Sequence, residues 1–542
     1  MDGNQRMEQV LSAAETAMTP TPRRRPVAVI DVGSSAIRME IAEIDTQGNV
    51  RSLEALQHPV NLGKDTFASG RIEPETIEEC VSILKGYRRV LRDYGIDQDE
   101  HIRAVATSSV REAANRDTFQ NRILIAAHIN VELIEEAEVN RLAYIAVRDS
   151  LDKLGGMDDR DTLVVEAGSG SMEVLLVQGG HVTLSRTYRL GSLRMRETLE
   201  TNTVPANRIG SMLTRHIQRT IDQIQRTIPA EPVQRMIAIG GDARFAADAV
   251  ANANEQERLI PIPVTRFSRF AKKLVSRSVD ELVSQYRLTF QEAETAGPAL
   301  LTYARLAESF NVEQLLVSRT TLRDGLLLEM ASRGMWTEHF KEQVMYSARM
   351  LGRKYGYEEK HATHVADLST RLFEELQAEH ELPPRYELLL RVAALLHEIG
   401  LYVANQSHHK HSLYLIMHSD LFGLSRRDTL LVALIARYHR RAAPKMTHPE
   451  YAALPQHERL NVSKLAALLR VADALDQNHM QQVRDVAFRR ERGRLIVLVG
   501  GLEDLTLERL AVRQKGELFA DIYGMSVELR RDTARKGAGH GR

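Results

Sequence analysis

Thr162-Leu163-Val164-Val165-Glu166-Ala167-Gly168-Ser169-Gly170-Ser171-Met172-Glu173-Val174 is the stretch that decides the fold. Thr162 to Val165 is a short apolar run and reads as a buried strand. An acidic, glycine-rich turn breaks it, and Met172, Val174 and Leu176 then recur with the period of a second strand. The same layout stands earlier in the chain. Pro26 to Ile30 is apolar, Asp31-Val32-Gly33-Ser34-Ser35 is the turn, and Ile37, Met39 and Ile41 alternate with Arg38, Glu40 and Ala42. The offset is 135 residues, from Asp31 to Glu166. Two hairpins of one design predict a duplicated domain with a cleft between the copies.

Around these hairpins the chain alternates strand and helix signals. Ile102 to Ala106 reads as a strand, and Thr107-Ser108-Ser109-Val110-Arg111-Glu112 behind it starts a helix. Ala238-Ile239-Gly240-Gly241-Asp242 is a third glycine turn behind the strand Met236 to Ile239. This alternation predicts α/β architecture. Past about residue 332 the pattern changes. Phe340 to Leu475 is rich in Leu, Ala, His and Arg and reads as a helical bundle, and Arg494 to Val499 returns to strand patterning in a small α/β module. The boundaries expected are a disordered arm at 1–25, domain I at 26–140, domain II at 141–332, a helical domain at 333–480, a C-terminal module at 481–530 and a basic tail at 531–542.

Composition narrows the class. Of 542 residues, 43% are hydrophobic and 27% charged, the balance of a soluble globular protein rather than a disordered or fibrous one. No run of about 18 apolar residues appears, so no membrane partner is expected. Lys plus Arg and Asp plus Glu are 72 each, which leaves a polyanion partner open but makes any basic surface local; no nucleic-acid partner is expected. The single cysteine, Cys80, excludes an intramolecular disulfide and an all-cysteine zinc site, and it fits a reducing, cytoplasmic setting.

Glycine turns let successive backbone N–H groups point into one concavity, where they hold phosphate oxygens; serine hydroxyls add donors. A carboxylate beside such a nest repels phosphate unless Mg²⁺ joins the two. Two facing nests with acids therefore point to phosphoryl transfer or phosphoanhydride hydrolysis. Glu135-Glu136-Ala137-Glu138 follows the strand Val131 to Ile134. A carboxylate there is placed to take a proton from an attacking water, though such a run is also an ordinary solvated helix start.

With these residues in order, the sequence resembles the exopolyphosphatase/guanosine pentaphosphatase (Ppx/GppA) family. The resemblance spans about residues 26–480. It rests on Asp31 to Ser35, Ala106 to Ala113, Glu138 with Arg141-Leu142, Glu166 to Glu173 and Ile239-Gly240-Gly241, with Leu396 to Leu401 and Arg437-Tyr438-His439-Arg440 later. It implies a duplicated actin-like (ribonuclease H-like) ATPase fold with an interdomain cleft, then an all-α HD-like domain and a small α/β module. It also implies a homodimer and Mg²⁺-dependent release of terminal orthophosphate from inorganic polyphosphate, or alternatively from guanosine pentaphosphate. Carried over by position, Glu138 and Glu173 are catalytic. Asp31 and Glu166 hold metal. Gly33, Ser34, Ser35, Arg111, Gly168, Ser169, Gly170, Ser171, Gly240 and Gly241 bind phosphate.

The chain departs from the family pattern. Ser35 and Ala36 replace Asn-Ser in the first hairpin. Glu166, Ser169 and Met172 replace Asp, Gly and Thr in the second, and Glu138-Val139 stands where the family has two glutamates. These changes raise a third reading, a catalytically weak sensor of phosphate ligands. In the helical domain His364, His397-Glu398 and Asp473 occupy positions similar to those of HD-type metal phosphohydrolases, with Glu in place of Asp, so a metal-free version is expected. His411, Arg437, His439, Arg440 and Arg441 are expected to form a track for a long polyphosphate chain.

Overall fold

The computed structural model describes residues 24–152, 160–199, 206–228, 233–251, 257–332, 337–440, 442–502 and 504–532. The expected N-terminal arm and basic tail fall almost wholly outside them. One compact unit lies within residues 1–180 and 186–334, and another within 181–185 and 335–542.

Apart from residues 181–185, the first unit contains two sheets. Strands β1 (Arg25–Val32), β2 (Ala36–Ile44), β3 (Val50–Pro59), β4 (Ile102–Ala106) and β5 (Val131–Leu133) form a sheet of order β3-β2-β1-β4-β5. Strands β6 (Thr162–Ala167), β7 (Met172–Gln178), β8 (His181–Tyr188), β9 (Arg235–Ile239), β10 (Leu259–Pro263) and β11 (Gln314–Ser318) form the other, of order β10-β11-β9-β6-β7-β8. Read outward from β6, the second sheet repeats the first and adds β10 as an antiparallel edge. The duplication expected from the hairpins is therefore present down to strand order.

The apolar run of β1 is explained by burial on both faces. Ala28, Ile30 and Val32 pack with the helices Pro74–Asp93 and Arg116–Ala127, while Val27 and Val29 pack on the opposite side with Leu142, Leu326 and Leu327. That second set corrects the expected boundaries. Residue 140 lies inside the helix Glu136–Asp152, and the helix Leu322–Ala331 returns to cover the first sheet although it follows the second. Gly325 permits this return, because a Cβ there would stand 2.4 Å from the Leu142 carbonyl oxygen.

In the second unit, helices from Glu338–Lys354 to Gln456–Leu475 surround one core. Strands β12 (Val486–Glu491), β13 (Arg494–Val499) and β14 (Ser526–Arg531) form a sheet of order β12-β13-β14. Leu495, Val497, Val499 and Phe519 belong to the same core cluster as Leu468 and Leu434. The C-terminal strands therefore share the bundle's core rather than building a separate module.

Gly325→Ala should lower stability. The close backbone approach makes this overpacking, costing about 1–3 kcal/mol against a helix-propensity gain of about 1 kcal/mol. A urea midpoint that does not fall would show that the returning helix is free to move away.

Candidate active site

The two hairpin turns have the same hydrogen bond. Gly33 N–H donates to the Ala36 carbonyl at 3.0 Å, and Gly168 N–H to the Ser171 carbonyl at 2.9 Å. Across each hairpin the acid that ends the first strand faces one residue on the second, Asp31 opposite Arg38 and Glu166 opposite Glu173. The Ser169 carbonyl accepts from Leu193 and Arg194, and the Gly168 carbonyl from Ser192. These bonds hold the second turn down by its carbonyls. Among the described residues, the N–H groups of Ser34, Ser35, Ser169 and Gly170 have no acceptor in the protein.

Between the turns lies a cavity of about 480 Å³. It is lined by Asp31, Gly33, Ser34, Ser35, Arg111, Glu166, Gly168, Ser169, Gly170, Ser171, Glu173, Gly240 and Gly241. The structure thus gathers every expected cleft residue except Glu138. Gly240 has φ +119°, and a Cβ there would meet the Tyr303 hydroxyl at 3.1 Å. That hydroxyl accepts from Ala167 N–H at 2.7 Å and donates to the Ile239 carbonyl, tying the second and third turns together.

Glu138 is a correction. Its two carboxylate oxygens accept from Arg141 Nε at 2.8 Å and Nη2 at 2.6 Å, and Arg141 also pairs with Glu329. The residue that reaches the cavity wall from this turn is its neighbour, Val139. One step along a helix rotates a side chain by about 100°, so Glu138 and Val139 face different ways. The position that meets the cleft thus carries an apolar side chain.

Sequence reasoning missed the cleft's other charges. Arg38, Arg244 and Arg323 line it, from β2, from the helix behind Gly240-Gly241, and from the returning helix. Arg38 and Arg323 stand 4.0 and 3.9 Å from Asp31, and Arg323 Nε lies 3.4 Å from Glu40. Burial first, then the Arg323 and Arg38 guanidiniums, hold Arg244 below its usual range. Crowded guanidiniums out of water call for an anion. Asp242, also in the lining, is pushed up to about 7 by burial, opposed by its Thr295 hydrogen bond. Only the Arg38 pairing had a local signal, its place across the hairpin from Asp31.

The carboxylates make the opposite demand. Burial pushes Glu166 above the ordinary carboxylate range; the Arg244 charge opposes this and the Asp31 charge adds to it. Burial and then the Glu166 charge push Glu173 up as well, although Ser171 Oγ donates to its Oε1 at 2.5 Å. An oxygen-only donor set of one or two carboxylates, completed by water and phosphate, fits Mg²⁺. No three acids of the described cleft residues converge within 4.8 Å, so the protein alone does not build a full cage.

Residues 41–334 match the Ppx/GppA phosphatase family, and residues 345–496 match Ppx/GppA phosphatase, domain III. The chain belongs to the Ppx/GppA phosphatase family. Within the family it is 25% identical over 463 residues to the guanosine-5'-triphosphate,3'-diphosphate pyrophosphatase of Photobacterium profundum, covering 84% of this chain and 88% of that protein. It is also 25% identical over 465 residues to the protein of the same name from Vibrio vulnificus, covering 84% and 87%. The crystal structure of an exopolyphosphatase from Cytophaga hutchinsonii superposes with a TM-score of 0.52 at 20% identity, covering 57% of this chain and 98% of that one. This last match, at 20% identity, is one of fold.

In the second unit the expected metal positions shift. His364 stands outside the groups of convergent ligands, and His361, one turn earlier, joins His397 and Asp473 instead. Of the expected track, Arg440 is exposed and His411 half-buried. Arg437 pairs with Glu450 at 3.1 Å. His439 is buried, 2% exposed, and faces inward rather than along a surface. Arg441 lies outside the described residues.

Raised carboxyls make stability depend on pH. The folded protein holds protons on Glu166 and Glu173 that the unfolded chain has released, so stability falls as pH rises through that window. In EDTA, the first unit should lose roughly 1–3 kcal/mol between about pH 5 and 8.5, and Glu173→Gln should flatten the loss. Mg²⁺ should restore stability at the alkaline end. A loss that is unchanged in the variant would clear these acids of the effect.

Proposed function

We propose that this protein hydrolyses the terminal phosphoanhydride of inorganic polyphosphate with Mg²⁺ held by Asp31 and Glu166. The observation that carries this reading is the pairing, in one cavity, of three guanidiniums with two desolvated glutamates and two glycine turns. Bound Mg²⁺ would supply charge neutralisation at the phosphate and a more acidic water.

This chain's own residues do the rest. Arg38, Arg244 and Arg323 take phosphoryl oxygens of the chain, and the free N–H groups of the two turns hold the terminal phosphate. Water adds to the terminal phosphorus as the bridging P–O bond breaks, and the shortened chain leaves with the bridging oxygen. Glu173 takes the water's proton on Oε2, its Oε1 being held by Ser171. A base works best with a pKa near working pH, and burial has moved Glu173 in that direction. Glu138 is unsuited to the role, because Arg141 occupies both of its oxygens.

Guanosine pentaphosphate is the second reading, favoured by the names of the two relatives that cover most of the chain. Both substrates offer the same terminal phosphate, and Phe245 and Leu288 on the cavity wall could receive an apolar group. We read the helical unit as HD-like, with Arg440 and His411 available to a long anionic chain.

Phosphate release with Mg²⁺ from long-chain polyphosphate and from guanosine pentaphosphate tests these readings together. Glu173→Gln should lower kcat by about 10²-fold or more, whereas Glu138→Gln should change it less than about threefold. Tight binding of both substrates without turnover would select a sensor over an enzyme.

Val139→Glu should raise kcat, since it returns a carboxylate to the cavity wall within reach of water. A fall in kcat with unchanged KM would mean that the wall must stay apolar.

A further inference from the structure

The second unit buries an unusual number of imidazoles at one point. His361 comes from the helix Glu359–Glu375, His397 caps the helix Arg385–Leu396, His408 opens the helix His408–Met417, and His439 follows the helix Arg426–Arg437. Asp473 lies near the end of the helix Gln456–Leu475. Exposures are 1% for His361, 0% for His397, 6% for His408, 2% for His439 and 3% for Asp473.

The hydrogen bonds at the outer ring nitrogens fix the tautomers. His397 Nδ1 lies 2.7 Å from the Ala394 carbonyl, His439 Nδ1 2.7 Å from the Ala436 carbonyl, and His408 Nδ1 3.2 Å from the Asn405 carbonyl. His361 Nδ1 lies 2.8 Å from Asp476 Oδ2. Carbonyls and carboxylates only accept, so each Nδ1 carries the proton. Each neutral ring therefore presents a bare Nε2, and these four lone pairs turn toward the cluster. His361 Nε2 and His397 Nε2 have no hydrogen-bond partner. They stand 3.9 and 3.8 Å from Asp473 Oδ1, and Glu398 Oε2 lies 3.9 Å from His361 Nε2.

His408 Nε2 and His439 Nε2 face each other at 3.2 Å. Two bare nitrogens repel at that distance, and a water does not fit between them. Either a proton or a cation must join them. Two nitrogens bound to one ion at about 2.1 Å, roughly 90–110° apart, would lie about 3.0–3.4 Å from each other.

Charge adds an independent argument. The carboxylates of Asp473, Asp476 and Glu398 stand around the rings, and Lys515 pairs with Asp473 Oδ2 at 2.6 Å. Carboxylates gathered around buried imidazoles form a setting that suits a bound cation. A histidine whose second nitrogen is pinned by a carbonyl or carboxylate is the usual support for a metal ligand.

We propose that the second unit holds a first-row divalent transition-metal centre. One ion is bound by His361 Nε2, His397 Nε2 and Asp473 Oδ1, and Glu398, His408 and His439 form an adjoining set for a second. These two groups each have their ligand atoms within 4.8 Å of one another. Imidazole-rich donors select an ion such as Zn²⁺, Mn²⁺, Fe²⁺, Co²⁺ or Ni²⁺ over Mg²⁺. The centre is distinct from the oxygen-lined cleft of the first unit and needs nothing from it. It replaces the metal-free expectation for this domain, whose ligand set wrongly included His364.

The test uses untagged full-length protein, passed over a chelating resin and analysed for bound metals. About one to two equivalents of a first-row metal per chain are expected, and Co²⁺ reloading should give a visible d–d band. His397→Ala should remove that band, and Asp476→Asn, at a residue that hydrogen-bonds the His361 ring and Gln481 and is not itself one of the proposed ligands, should weaken Co²⁺ affinity about 10–100-fold. If His397→Ala misfolds by circular dichroism, the Asp476→Asn titration decides. Less than about 0.1 equivalent of metal with no Co²⁺ band, or a band that both folded variants keep at full affinity, would overturn the proposal.

Discussion

A charge removed from water must find an opposite charge or give up its own, and this constraint organises the cleft. Glu166 and Glu173 sit opposite each other on β6 and β7 with Asp31 adding to the load. Arg38, Arg244 and Arg323 crowd the same space, and burial first, then the Arg323 and Arg38 charges, depress Arg244. Each group is unsatisfied in its own way, and the cavity between them suits a ligand carrying both signs. A phosphate chain with a divalent cation is such a ligand. The duplicated fold supplies the geometry, since it brings the ends of β1 and β6, and the turns beyond them, to one cavity.

The duplication also explains why the two halves are not equivalent in chemistry. The same register position holds Arg38 in the first hairpin and Glu173 in the second. One hairpin therefore presents an acid with a base beside it, and the other two acids. The first half leans toward binding anion and the second toward binding cation and proton. The asymmetry follows from one residue at one register position.

How much of this was legible in the sequence depended on how local each feature is. A hairpin is written in about fifteen consecutive residues, so the turns, their acids and their duplication could be read directly. Arg244 and Arg323 reach the cleft, and Tyr303 ties two of its turns, through packing between distant segments, and nothing near them in sequence announces it. The misplacement of Glu138 has a sharper cause. Along a helix each residue turns the side chain by about 100°, so choosing Glu138 over its neighbour rotated the assigned base away from the cleft. His361 and His364 were confused for a related reason. Residues three apart share a helix face, and only the depth of the partner helices selects between them. The expected break at residue 140 failed because the helix Leu322–Ala331 closes the first sheet from far along the chain.

The two units place different donor atoms at their polar centres. The cleft offers carboxylate oxygens and arginines, a setting for a hard cation that shares its shell with phosphate. The helical cluster offers imidazole nitrogens with their outer protons pinned by carbonyls and by Asp476. Ligand softness then keeps the two ions apart even when both are present, because nitrogen-rich sites bind Mg²⁺ poorly and transition ions strongly. The Glu in place of Asp at 398 does not abolish the second site. Its longer side chain carries the carboxylate to within reach of both His361 and the His408–His439 pair. A residue that departs from the HD-type metal pattern is, in this geometry, the one that joins two sets of ligands.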